Sequence, residues 1–283
     1  MVIDFHTHIF PSFIREKRDS FFHNEPSFRL LYQSPDSRLA GKQELLASMD
    51  LQGIHQSVIF GFPWKNPDLF QKHNDYIIEA VQQYPERLIG FCCVDPLSKE
   101  ATREIERCLK AGLRGIGELA AYHIGFTPEL IIALADIMAL SHDYHVPVLL
   151  HTNEPIGHQY PGKQPILLGQ LYELIKTYPL NQIVLAHWGG GLFFYALMKK
   201  EVKAVLKNVW FDTAASPYLY VPDIFKVAGE IIGFEKILFG SDYPLISPAR
   251  YLQEMKTLGI SSHSIAAITG ENARRLLGFS LKA

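Results

Sequence analysis

Cysteine is scarce: Cys92, Cys93 and Cys108 are the three in a chain of 283 residues. Cys92 and Cys93 are adjacent, so on a strand they point to opposite faces. The set builds neither a disulfide framework nor a CxxC metal knuckle, and buried thiols in a reducing compartment are expected. Charge of one sign is lacking too. Lys and Arg number 27 against 29 Asp and Glu, a net charge of −2, which leaves no basic footprint for nucleic acid or an anionic membrane. No segment approaches the ~20 apolar residues of a membrane span. The opening MVIDFHTHIF has neither the basic nor the apolar region of a signal peptide, so a cytoplasmic location is expected. There is no low-complexity tract or Gly/Ser linker. Barrels of mixed α/β type run ~250 residues as one domain, so a single domain over residues 1–283 is expected.

What is present is a repeating unit: a short apolar run, then a longer stretch with helical spacing. The runs cover residues 2–5, 57–60, 88–94, 113–117, 147–150, 182–186, 208–212 and 236–240. Helices are expected over 42–51, 68–83, 100–111, 129–143, 167–177, 193–206, 222–232 and 248–258. Asn66-Pro67 and Thr127-Pro128 fit helix starts; Gly112 and Gly259 fall where helices end. Continuous apolar strands alternating with helices indicate a parallel sheet buried on both faces, and eight such units close into a (β/α)8 TIM barrel. An open doubly wound sheet usually carries a Gly-rich turn after its first strand, where this chain has His-Thr-His. An additional C-terminal helix is expected over 263–277. Two longer loops, 10–40 and 153–166, follow the first and fifth strands.

The polar residues with metal-ligand chemistry sit at the C-terminal ends of these strands, where barrel enzymes keep their active sites. His6 and His8 are two residues apart and share a strand face. His151 and His187 each end an apolar run, as does Asp242 after 236–240. Glu118 ends the fourth strand, either as a further ligand or as an acceptor that orients a ligating imidazole. The donors are nitrogen and oxygen without thiolate, which suits Zn2+ first and also Mn2+, Fe2+ or Co2+. One divalent ion is expected, with a position left for water and a second ion left open.

The ordered set of an HxH on strand one, His on strands five and six and Asp on strand eight resembles the amidohydrolase superfamily. The ending Gly270-Glu271-Asn272-Ala273-Arg274-Arg275-Leu276-Leu277 is similar to that of its amidohydrolase-related branch. That branch includes aminocarboxymuconate semialdehyde decarboxylase, resorcylate-type decarboxylases, lactonases and other hydrolases. The resemblance implies that His6, His8, His151 and Asp242 bind the metal, with Glu118 a candidate ligand. It places His187 beside them to activate or orient water or substrate. Many binuclear members carry a carboxylated lysine on strand four, whereas this chain has Glu118; TatD-like deoxyribonucleases place Glu there and hold two metals. The expected activity is hydrolysis of a C–N or C–O bond in a small amide, lactone or ester. Asp242 would move the proton and His187 would stabilise the oxyanion. The alternative is a metal-dependent non-oxidative decarboxylase of a small carboxylated substrate. His158, Tyr160 and Lys163 in the loop after strand five, and Trp188 after strand six, are candidate substrate contacts. The expected partner is a small molecule, with no nucleic acid and no membrane; a homodimer is left open.

Overall fold

Short apolar runs buried on both faces form eight parallel strands: β1 (Ile3–His8), β2 (Gln56–Phe60), β3 (Leu88–Gly90), β4 (Ile116–Leu119), β5 (Val148–Leu150), β6 (Ile183–Leu185), β7 (Val209–Asp212) and β8 (Ile237–Leu238). The computed structural model describes residues 1–279. The strands pair in sequence order as β1-β2-β3 and β4-β5-β6-β7-β8. Backbone hydrogen bonds span both seams between these sheets. Cys92 N donates to Gly115 O at 2.9 Å and Gly117 N to Cys92 O at 2.8 Å, while Phe5 N donates to Phe239 O at 2.7 Å and Asp242 N to His6 O at 2.9 Å. Buried Asp4 adds a side-chain tie across the second seam, accepting from Ser241 N at 2.8 Å and Ser241 Oγ at 2.5 Å. The architecture is a (β/α)8 barrel.

Strand periodicity divides the core in two. Ile3, Phe5, Val58, Phe60, Ile89, Phe91, Leu149, Val184 and Leu238 form one cluster, while Ile59, Val148, Leu150, Ile183, Leu185 and Ile237 join a larger one with the surrounding helices. Alternate residues thus fill the interior, which is packed and not a pore. Ala273 and Leu276, from the helix Asn272–Leu276, complete the inner cluster. Asn272 fixes that helix to β8 by donating to Phe234 O and Ile237 O, each at 2.8 Å.

The helix starts follow local chemistry. Asn66 caps Pro67–Gln83 by accepting from Asp68 N at 2.9 Å, and Thr127 caps Pro128–Ala133. Gly112 and Gly259 have positive φ beyond the helices Ala101–Lys110 and Pro248–Thr257. Three expectations need correction. The helix expected over 193–206 is two short pieces, Tyr195–Met198 and Val202–Val205, because Lys199 between them has extended backbone. The C-terminal helix runs through a π-helical turn, Ala267–Glu271. The loop expected over 10–40 contains helical turns of its own, among them Pro26–Tyr32. No helix among the described residues is long and apolar enough to cross a membrane.

Candidate active site

The side chains that end the strands meet above the packed interior. His6 Nε2 lies 3.8 Å from Glu118 Oε1 and 3.6 Å from Asp242 Oδ1. His8 Nε2 lies 3.7 Å from Glu118 Oε2 and 3.5 Å from Asp242 Oδ1. His187 Nε2 is 3.7 Å from Glu118 Oε1. These separations are too long for hydrogen bonds. Atoms bonded to one ion at ~2.1 Å lie about 3.0–3.4 Å apart, so the group accommodates a divalent cation with slight contraction.

The outer nitrogens explain why the inner ones point inward. His6 Nδ1 meets Asp212 Oδ2 at 2.8 Å, His8 Nδ1 meets Gly61 O at 3.2 Å, and His187 Nδ1 meets Ala214 O at 3.0 Å. Each of these partners accepts hydrogen bonds, which makes Nδ1 the donor and leaves a lone pair on Nε2. His6 Nε2 is buried and has no hydrogen-bond partner. A buried orphan acceptor facing two carboxylates fits a cation. The fit holds for His6, His8 and Glu118, whose donor atoms all lie within 4.8 Å of one another, and Asp242 Oδ1 stands beside the two imidazoles.

His151 departs from this pattern. Its Nδ1 faces Glu118 Oε1 at 2.9 Å and its Nε2 faces Gly162 O at 2.9 Å. The donor atoms fall into two groups that share Glu118: His6 and His8 in one, His151 and His187 in the other.

The electrostatics call for positive charge at this point. Burial opposes protonation of His6, but the carboxylates of Asp212 and Glu118 outweigh it and raise the group to about 10. Burial would likewise raise Glu118; the charges of His151 and His6 overcome it and hold the carboxyl well below its usual range. Burial lowers His8. For His187 the Glu118 and Asp242 carboxylates exceed the burial penalty and raise it. A divalent cation supplies the same charge without protons.

The proposed substrate contacts are distributed differently. Tyr160 donates to Glu154 Oε2 at 2.8 Å, Lys163 Nζ to Glu154 Oε1 at 2.8 Å, and Lys163 Nζ also reaches the carbonyls of Ile156 and His158. His158 is exposed. Trp188 is not brought to the cluster. Its indole is fully buried, donates to Ser216 Oγ at 2.6 Å and packs edge-on against Phe225 at 5.2 Å. An indole needs a partner for its N–H when buried, and Ser216 supplies it inside the core. Sequence reasoning missed Asp212, which is fully buried and also accepts from His187 N at 2.9 Å and Ala214 N at 3.0 Å. The signal was available, since run 208–212 ends in a carboxylate as 236–240 does just before one.

Similarity to known proteins agrees with this fold. A 5-carboxyvanillate decarboxylase from Novosphingobium aromaticivorans, solved with bound manganese and a nitrobenzoic acid, superposes with a TM-score of 0.76 at 19% identity over 98% of this chain and 97% of that one. The 5-carboxyvanillate decarboxylase from Sphingomonas paucimobilis gives 0.75 at 18% identity over 99% of both chains. A structure described as a probable 2-pyrone-4,6-dicarboxylic acid hydrolase, from Acinetobacter baumannii with citric acid bound, gives 0.61 at 16% over 98% of this chain and 99% of that one. At such identities the likeness speaks for the fold. The family model described as amidohydrolase matches residues 3–279, and the chain belongs to that family.

Proposed function

We propose that this chain is a metal-dependent, non-oxidative decarboxylase of a small carboxylated substrate. The observation that carries the reading is how little water reaches the cluster. Side-chain exposure is 0% for His6, 3% for Glu118, 7% for His187, 10% for His151, 12% for His8 and 14% for Asp242. Phe60 packs edge-on against both His6 and His8, at 5.0 and 4.7 Å. Release of CO2 needs a carboxylate held in a site largely closed to water, whereas hydrolysis needs room for an attacking water. The decarboxylases among the similar structures support the same choice.

His6, His8, Glu118 and Asp242 would hold one divalent ion, with His151 bound to it or to Glu118. When bound, the ion supplies a fixed positive charge that anchors a carboxylate and withdraws electron density from the reacting carbon. Asp242, the most exposed of the carboxylates here, holds the proton that the carbon takes up as the C–C bond breaks and CO2 leaves. Solvent then reprotonates it. His187, anchored on Ala214 O, orients its Nε2 toward the oxygen that gains charge. The nitrogen and oxygen donors suit Zn2+ or Mn2+, and manganese in the Novosphingobium decarboxylase supports the latter. His158, Tyr160 and Lys163 would form the rim through which a small molecule enters.

A hydrolase is the second reading. It is favoured by the hydrolase among the structural relatives. The same residues would serve, with Asp242 taking its proton from water. The test is a panel of hydroxybenzoates, lactones and amides given to metal-loaded protein. CO2 release matching loss of the acid is expected. A lactone or amide opened without CO2 would replace the first reading with the second.

A further inference from the structure

Three of the four imidazoles in the cluster are aimed by the barrel itself. Asp212 ends β7, Gly61 directly follows β2 and Ala214 lies just past β7. Each of them holds an outer Nδ1, so that His6, His8 and His187 present Nε2 inward. His151 is turned round. Its Nδ1 faces the cluster, 2.9 Å from Glu118 Oε1, and its Nε2 points outward to Gly162 O at 2.9 Å. Gly162 belongs to no strand. It lies near the far end of the loop after β5, 11 residues along the chain from His151.

That loop is anchored at its feet and braced within itself. At the feet, buried Asn153 and Gln164 clasp each other: Gln164 N donates to Asn153 Oδ1 at 2.9 Å, and Asn153 Nδ2 to Gln164 O at 3.2 Å. Gln164 also ties to the barrel, donating to His151 O at 2.9 Å and accepting from Ala121 N at 3.2 Å. Between the feet the braces are internal, with Lys163 and Tyr160 closing on Glu154, and Ile156 at the tip is exposed. Among the described residues, the hydrogen bond between His151 Nε2 and Gly162 O is the one that joins residues 154–163 to the cluster.

Gly162 has φ +94°, and a methyl group there would come no nearer than 3.9 Å to Leu31. Space is available, so it is the backbone conformation alone that asks for glycine. In that conformation the carbonyl meets His151. An imidazole that binds an ion through one nitrogen donates through the other, and the acceptor it finds sets both its tautomer and its direction. For His6, His8 and His187 the acceptor is part of the barrel or the turn at a strand end. For His151 it is carried on a loop that can open without disturbing a strand, and such segments open at lower cost than the sheet.

We infer that residues 154–163 form a lid latched to the metal through His151, with Gly162 as the positioning residue: closing the lid tightens metal binding, and the metal holds the lid shut. The two effects are one coupling, so they are equal in size. The inference rests on the proposed function only in taking the cluster to hold a divalent cation.

Calorimetric titration of chelator-stripped protein with Mn2+ tests it, beside hydrogen exchange of the 154–163 amides before and after loading. Gly162→Ala fits the space but strains the left-handed backbone. It should weaken Mn2+ binding about 10–100-fold, the usual worth of a group that orients a ligating imidazole. Gly157→Ala is the control. It strains the same loop at its tip, at φ +83°, where a methyl group would come no nearer than 4.0 Å to Lys163 Nζ, and it should leave the affinity unchanged. In wild type, loading should slow exchange of these amides by a factor comparable to the Gly162→Ala loss; in Gly162→Ala it should slow them far less. Wild-type affinity in Gly162→Ala would overturn the inference. So would an equal loss in Gly157→Ala, loop exchange that is the same with and without Mn2+, or no binding of Mn2+. CO2 assays on the same proteins separate the two claims. Turnover with an uncoupled loop sinks the inference alone, and a coupled loop without turnover sinks the decarboxylase reading alone.

Discussion

Glu118 in β4 and Glu154 just past β5 are both largely buried at the mouth of the barrel, and their surroundings differ in kind. Glu154 has closed its contacts: Tyr160 and Lys163 both reach it at 2.8 Å. Glu118 has one imidazole at 2.9 Å and three more held at 3.7–3.8 Å. Closed contacts at hydrogen-bond length make a staple that is complete in itself. A ring of donors held just beyond that length, with their outer nitrogens already tied to the backbone and Asp212, is arranged for something to be bound between them. Histidines repeat the contrast. His73 is closed, accepting from Trp64 Nε1 at 2.9 Å and meeting Ile9 O at 2.7 Å; His6 leaves Nε2 unpartnered.

The largest expected effect lies on the unclosed side. Asp242→Asn should keep its metal and lower turnover by roughly 10²–10⁴-fold, the usual worth of a positioned acid or base. Metal analysis beside steady-state rates checks this, and a metal-loaded variant with full turnover would remove Asp242 from the chemistry. Next comes the closed histidine. Burial lowers His73 from 6.5 to about 4, so between those values the unfolded chain binds a proton that the folded chain refuses. Stability should therefore fall as pH drops through that window, by roughly 3 kcal/mol in all. Urea midpoints across the window, steeper in wild type than in His73→Gln, test it; parallel curves would contradict it.

Asp212→Asn sharpens the comparison from the outside. It loosens the tautomer of His6 without touching the inner donors, so metal affinity should drop 10–100-fold, as for other residues that orient a ligand. Competition with a chelator measures it, and unchanged affinity would show that Asp212 serves the backbone of the His187 turn alone. The smallest effect belongs to the staple. Glu154→Gln should raise KM by less than about tenfold and leave kcat in place. A kcat loss matching that of Asp242→Asn would erase the distinction between the two glutamates.

Much of the fold was legible because barrel strands are buried on both faces and appear as apolar runs. Each of the eight runs holds or overlaps an observed strand. His6, His8, His187 and Asp242 were legible for a related reason: a polar residue where an apolar run stops has to stand at the rim. Partners were less legible than positions. The approach of His151 to both Glu118 and Gly162 depends on where the loop after β5 folds back, and no local pattern encodes that. Trp188 shares a turn with His187, yet backbone handedness sends its indole into the core. The helix break at Lys199 had no Gly or Pro to announce it.

That turn has a further consequence. His187, Trp188, Gly189, Gly190 and Gly191 all have φ between +53° and +88°, a run of left-handed residues in which side chains are tolerated poorly. A methyl group on Gly190 would sit 2.2 Å from Asn153 O, and one on Gly189 would sit 2.8 Å from the ring of Phe211. The bend that carries His187 is therefore wedged between its neighbours on two sides. For redesign, these glycines set a boundary that no choice of side chain can move.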